Sequence, residues 1–132
     1  MQRTISLQSM PRCSFKILLV IFLILTANCG ILKYVKPRFS KPHKVEGGIL
    51  FQYYAPSARR VQIAGEFNNW EYGTSEKAID LKKNKEGVWS IILPLKPGRY
   101  KYKFVIDEKF WEKDPNGEDA NDEMGNSLIV VE

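Results

Sequence analysis

Arg99-Tyr-Lys-Tyr-Lys-Phe-Val-Ile106 decides the fold class of this 132-residue chain. Tyr100, Tyr102, Phe104 and Ile106 fall on one side of an extended segment, and Arg99, Lys101, Lys103 and Val105 on the other. A period of two is the pattern of a strand with one buried face. Pro97-Gly98 makes a tight turn before it and Asp107-Glu108 another after it, with Phe110 or Trp111 opening the return.

The same alternation extends in both directions. Ile49, Phe51 and Tyr53 alternate with Leu50, Gln52 and Tyr54 as far as the turn Ala55-Pro-Ser-Ala58, and Val61 and Ile63 share a face opposite Gln62 and Ala64. Ile79 and Leu81 suggest a short strand, Lys82-Lys-Asn-Lys-Glu-Gly87 a polar reversal, and Trp89, Ile91 and Leu93 one face of the strand after it. Leu128 to Val131 reads as the last strand. Beyond residue 28 no 11-residue window carries a 3.6-residue apolar period, so helices are absent or one turn long. Seven or eight short strands separated by frequent turns predict an all-β chain: an immunoglobulin-like (early-set) sandwich of two antiparallel sheets over residues 45–132. The Cys-Trp-Cys spacing of a true immunoglobulin domain is missing.

Charge is divided unevenly along the chain. The whole carries +5 and an isoelectric point near 9.2, yet residues 45–132 hold 12 Lys and Arg against 15 Asp and Glu, a formal charge of −3. The basic balance therefore belongs to the N-terminal region and does not point to nucleic acid, which needs basic groups clustered on a folded surface.

Ile17 to Ala27 is an apolar run of 11 residues after Lys16, the pattern of a secretory leader over residues 1–28, with Met10 as an alternative start. The 16 residues between Lys16 and Lys33 are too short for a comfortable membrane span of about 30 Å, which disfavours a single-pass anchor in the inner membrane. Thr26-Ala-Asn-Cys29 resembles the lipobox of bacterial lipoproteins, with Leu25 one position further out than usual and Asn28 where a small residue is customary. The resemblance implies a diacyl lipid on Cys29, membrane attachment through it, and an exported chain in the bacterial cell envelope, at the outer membrane or its periplasmic side. Residues 29–44, with Pro37, Pro42 and five basic side chains, read as a tether, a spacer or a segment lying on anionic headgroups. Cys13 lies in the leader, so the domain is expected to fold without a disulfide.

Catalytic chemistry finds few candidates. His43 is the single histidine and falls in the tether, which leaves the domain without the residues for a zinc cluster or a Ser-His-Asp or Cys-His arrangement. Asp114, Glu118, Asp119, Asp122 and Glu123 read as a hydrated Gly/Asn-rich loop, with calcium ligation as the rival, although their spacing does not follow the twelve-position calcium loop. The expectation is a protein without catalytic residues, metal or cofactor. Aromatic residues remain. Trp70 ends the polar loop Gly65-Glu-Phe-Asn-Asn-Trp70, and Trp111 follows a turn among Lys109, Glu112 and Lys113. Indoles in such places either pack partly into the core near a sheet end or serve sugars, whose apolar ring faces stack on them while Lys103, Asn68 and Asn126 bond the hydroxyls.

Four blocks carry a family resemblance: Val61 to Trp70, Glu86 to Asp107, Trp111-Glu-Lys-Asp-Pro115, and Gly125 to Val130. In this order they resemble carbohydrate-binding module family 48, which includes the glycogen-binding domain of the AMP-activated protein kinase β subunit. The resemblance implies binding of α-1,4-linked glucans such as glycogen or starch. It implies stacking platforms at Trp70 and Trp111, a hydroxyl-binding lysine at Lys103 and a polar contact at Asn126. Asp107-Glu-Lys-Phe-Trp111 is one residue longer than the usual Asp-Gly-x-Trp turn. The alternative is a protein-interaction or envelope-scaffold domain that uses the same fold with a protein partner in place of sugar.

Overall fold

A computed structural model describes residues 37–132. The leader, Cys29 and the first part of the tether lie outside the described residues. Ten strands follow in order: β1 His43–Val45, β2 Gly48–Tyr54, β3 Val61–Gly65, β4 Ile79–Asp80, β5 Lys82–Lys83, β6 Val88–Leu93, β7 Gly98–Ile106, β8 Phe110–Glu112, β9 Glu118–Asp119 and β10 Ser127–Val131. One single-turn 3-10 helix covers Glu66–Asn68.

The first sheet has the order β1-β2-β6-β5, and the second β4-β3-β7-β10-β9 with β8 on the far half of β7. Every pairing is antiparallel. This is the expected immunoglobulin-like sandwich. Phe51 of the first sheet meets Tyr102 of the second edge-on at 5.1 Å, and Tyr53 meets Phe104 at 4.7 Å. Ile49, Val61, Ile63, Leu81, Trp89, Leu93 and Ile129 complete the core. Trp89 belongs wholly to it, its indole N–H donating to the Ala55 carbonyl at 2.8 Å.

Three details differ from the sequence reading. Ile79 and Leu81 do not form one strand: β4 lies in the second sheet and β5 in the first, and buried Leu81 crosses between them with its N–H on the Val61 carbonyl at 2.9 Å. The reversal after it is correspondingly shorter, and Asn84 closes it by accepting from the Glu86 and Val88 N–H groups. The end of the proposed tether is also structured. Pro42 is buried, and His43 and Lys44 pair with β2 through a two-residue turn at Glu46-Gly47, where Gly47 takes φ +92°. His43 and Lys44 are exposed, so no alternation marked that strand.

β7 organises the second sheet. Its second half, from Tyr102 opposite Gly65 to Ile106 opposite Val61, borders β3 on one side, while the other side is shared by β10, along Gly98 to Tyr102, and β8, along Phe104 to Ile106. Lys101, Lys103 and Val105 therefore share the outer face of this sheet, where Val105 is nonetheless fully buried, beside Trp111, which faces Val105 in register.

Candidate functional site

The outer face of β3 is covered by the loop that follows it. Gln62 points there and is fully buried, its amide accepting the Gly73 N–H at 2.8 Å and donating to the Gly73 carbonyl at 3.1 Å. Asn68 holds the same loop from within. Its Oδ1 accepts the Gly65 N–H at 3.0 Å, and its Nδ2 donates to the carbonyls of Glu71 and Lys77 at 2.9 and 3.0 Å. Both ends of the Asn68 amide are engaged in these bonds and the side chain does not line the groove, so the structure makes it a framework residue of the loop and not the sugar contact expected from sequence.

That framework forces an unusual backbone at its tip. Asn69 and Trp70 both take positive φ, 54° and 61°. Asparagine tolerates this region, whereas a tryptophan there costs on the order of 1–3 kcal/mol. The Trp70 N–H, on the Gly65 carbonyl at 2.9 Å, helps hold the turn, and Phe67 anchors it by packing on Phe51 and Tyr100. The strain is thus spent on aiming one half-buried indole.

Trp111 arrives from the other side of β7 on the short strand β8. The turn before it has Asp107 and Glu108 both at positive φ, and the Asp107 carboxylate accepts the Arg59 and Arg60 N–H groups at 2.8 and 2.9 Å. The Arg60 guanidinium ties Asp80 to Glu108 across the same corner. The longer turn still delivers Trp111 to the site: its ring lies 6.5 Å from that of Trp70, with the planes tilted by 42°. Trp111 is 36% exposed.

The polar side of the site hangs on Asp122. Its carboxylate accepts the backbone N–H of Asn126 at 3.0 Å, the Asn126 amide nitrogen at 2.8 Å and the Lys101 ammonium at 3.0 Å. These bonds, the Asn126 backbone contact foremost, hold the Asp122 carboxyl well below the usual carboxylate range. Lys103 donates to the Met124 carbonyl at 2.6 Å. Trp70, Trp111, Lys103 and Asn126 come together with Glu66, Lys101, Asp122 and Met124 around an open groove of about 660 Å³. The groove presents flat apolar rings on one side and ammonium and amide groups on the other.

The acidic loop is not uniformly hydrated. Asp114 is 2% exposed and accepts the Tyr102 hydroxyl at 2.7 Å and the Asn116 N–H at 2.9 Å, while its own N–H donates to Ser127 Oγ at 2.8 Å. Burial pushes its carboxyl up. Glu118 pairs with Lys41 and Asp119 with Lys113. Among the described residues no group of three or more His, Cys, Asp or Glu side chains is arranged to hold a metal ion.

Sequence reasoning missed Glu66, Lys101, Asp122 and Met124 in the lining of the groove. Lys101 was legible in the alternation of β7, two residues before Lys103, but Asp122 and Met124 sit in an irregular loop with no period. Tyr72 is 41% exposed, and its ring meets Trp111 edge-to-face at 4.9 Å.

The family model of carbohydrate-binding module 48, the isoamylase N-terminal domain, matches residues 39–120, more than half of the chain. The chain belongs to carbohydrate-binding module family 48. A 1,4-alpha-glucan branching enzyme GlgB of Marinobacter nauticus is 33% identical over 94 residues, covering 68% of this chain and 14% of that enzyme. The GlgB of Methylococcus capsulatus is 41% identical over 68 residues, or 49% of this chain and 9% of the enzyme. This chain thus corresponds to a small part of those enzymes. A candidate alpha amylase from Salmonella typhimurium, at 16% identity, superposes with a TM-score of 0.54 over 73% of this chain and 15% of its own, a likeness of fold. The family match ends at residue 120, so it includes Lys101 and Lys103 and stops before Asp122 and Asn126.

Proposed function

We propose that this module binds α-1,4-linked glucans in the groove between Trp70 and Trp111, without catalysing a reaction on them. The observation that carries the reading is the convergence of two indoles from separate loops, one held at a strained backbone, beside Lys103 and Asn126. Stacking on each indole and hydrogen bonding at the rim divide the work: the rings take the apolar faces of glucose units, Lys103 donates to a hydroxyl, and the side-chain amide oxygen of Asn126 accepts from one. The enzymes to which the chain is similar act on 1,4-alpha-glucans by name, which supports the same class of ligand here. By analogy with aromatic stacking elsewhere, each platform is worth about 1–3 kcal/mol, and a dissociation constant between about 10 μM and 1 mM suits one open site. The leader-like run and Cys29 add the proposal that the module works outside the cytoplasm, held to a membrane by lipid.

Calorimetry with maltoheptaose and β-cyclodextrin tests the reading. Binding that is lost in Trp70→Ala and Trp111→Ala is expected. Absence of binding at millimolar sugar would transfer the fold to the protein-interaction alternative.

A further inference from the structure

Tyr72 has no task in the groove as described, yet it is held with care. The residue before it and the residue after it are each gripped by a buried amide: the Glu71 carbonyl by Asn68 and both backbone groups of Gly73 by Gln62. The Tyr72 carbonyl itself accepts the Ser75 N–H. A ring 41% exposed on so fixed a backbone gains little for the core, and ordering a large side chain at the surface is unfavourable unless something covers it. Its hydroxyl makes no hydrogen bond among the described residues. The ring lies 4.9 Å from that of Trp111 and is turned by 80° to it, so that Trp111 is the indole in contact with both Trp70 and Tyr72.

Resting on the glucan reading above, we propose that Tyr72 forms a further sugar subsite beyond Trp111, which makes the module prefer longer α-glucan chains. A glucose unit leaving Trp111 meets the Tyr72 ring edge and hydroxyl, an apolar contact joined to a donor and acceptor. Maltotriose is short enough to be satisfied by Trp70 and Trp111, whereas maltoheptaose reaches all three rings. The backbone clamp means that the subsite is already formed before the sugar arrives, so little ordering is needed to use it.

The test is calorimetry of the full chain with maltotriose and maltoheptaose, comparing wild type, Tyr72→Ala and Tyr72→Phe, with thermal unfolding of each as a check on the fold. Wild type is expected to bind maltoheptaose more tightly. Tyr72→Ala should lose about tenfold for maltoheptaose and keep its affinity for maltotriose, and Tyr72→Phe should fall between the two. Equal losses for both sugars would mean that Tyr72 only props Trp111, and unchanged affinity for both would mean that it touches no sugar; either result overturns the subsite. Wild type that binds neither sugar would instead sink the glucan reading on which the subsite stands.

Discussion

The Asp122 carboxylate grips Asn126 twice, at the backbone N–H and at the side-chain nitrogen, and so fixes which end of the Asn126 amide is open to a ligand. With the nitrogen engaged, the amide offers its oxygen. Asp122→Ala and Asn126→Ala are each expected to weaken maltoheptaose binding by about tenfold, and the double variant no further, because the aspartate acts through the asparagine. Additive losses in the calorimetric cycle would show two independent contacts. Because the Asp122 carboxyl is held below its usual range, the grip should also survive as pH falls through the ordinary carboxylate range.

Tyr102 and Asp114 give a stability prediction with a definite sign. The Tyr102 hydroxyl is one of the donors that favour the ionised form of Asp114, against the burial that raises its pKa. Tyr102→Phe therefore leaves a buried carboxylate short of a partner and should cost about 1–3 kcal/mol at neutral pH. It also raises the folded pKa of Asp114 further, so the folded variant takes up a proton at higher pH than the unfolded chain does. The deficit should shrink as pH falls through that raised value toward the ordinary carboxylate pKa. Denaturant unfolding of both proteins at neutral and mildly acidic pH measures the difference. A deficit that does not change with pH would contradict it.

Gly65 opens the loop that aims Trp70, and the reason for a glycine there is space. A methyl group would stand 2.5 Å from the Lys101 carbonyl oxygen and 2.8 Å from Tyr102 Cβ. Gly65→Ala should destabilise the domain by about 1–3 kcal/mol and weaken glucan binding as well, since the Trp70 N–H bonds to the carbonyl of this residue. Thermal unfolding together with a maltoheptaose titration tests both effects.

The leader-like run, read as proposed, predicts a chemical end group. If Thr26-Ala-Asn-Cys29 is processed as its resemblance to a lipobox implies, mass spectrometry of the native protein should find a mature chain that begins at Cys29 and carries diacylglycerol. An unmodified chain starting at Met1 or Met10 would refute this.

The sheets were legible because their inner faces alternate: Phe51, Ile63, Trp89 and Phe104 each lie on the face that the pattern assigned. Leu81 was harder, because two-residue strands on either side of a crossing leave no repeat to read. The candidate groove was anticipated at Trp70 and Trp111, indoles in polar loops, and at Lys103 and Asn126, placed by the family resemblance, and the structure brings these four side chains together. It was illegible where one residue type can serve two purposes. Asn68 sits in a polar motif like a rim residue, yet its three hydrogen bonds turn it inward. Asp114 and Asp122 belong to one acidic run, and only the fold separates the buried partner of Tyr102 from the carboxylate that orders Asn126.

The 42° between the planes of Trp70 and Trp111 bears on discrimination among polysaccharides. On the glucan reading proposed above, two rings so inclined favour a chain that bends between successive units over a flat ribbon, such as a β-1,4-linked glucan, which stacks best on coplanar rings. A chain that coils satisfies both, and a closed ring of glucose units brings the bend with it, giving up less freedom on arrival than a linear chain of the same units. On the proposed reading, the angle between two side chains would work as a gauge of curvature, sorting polymers built from one sugar by the linkage that bends them.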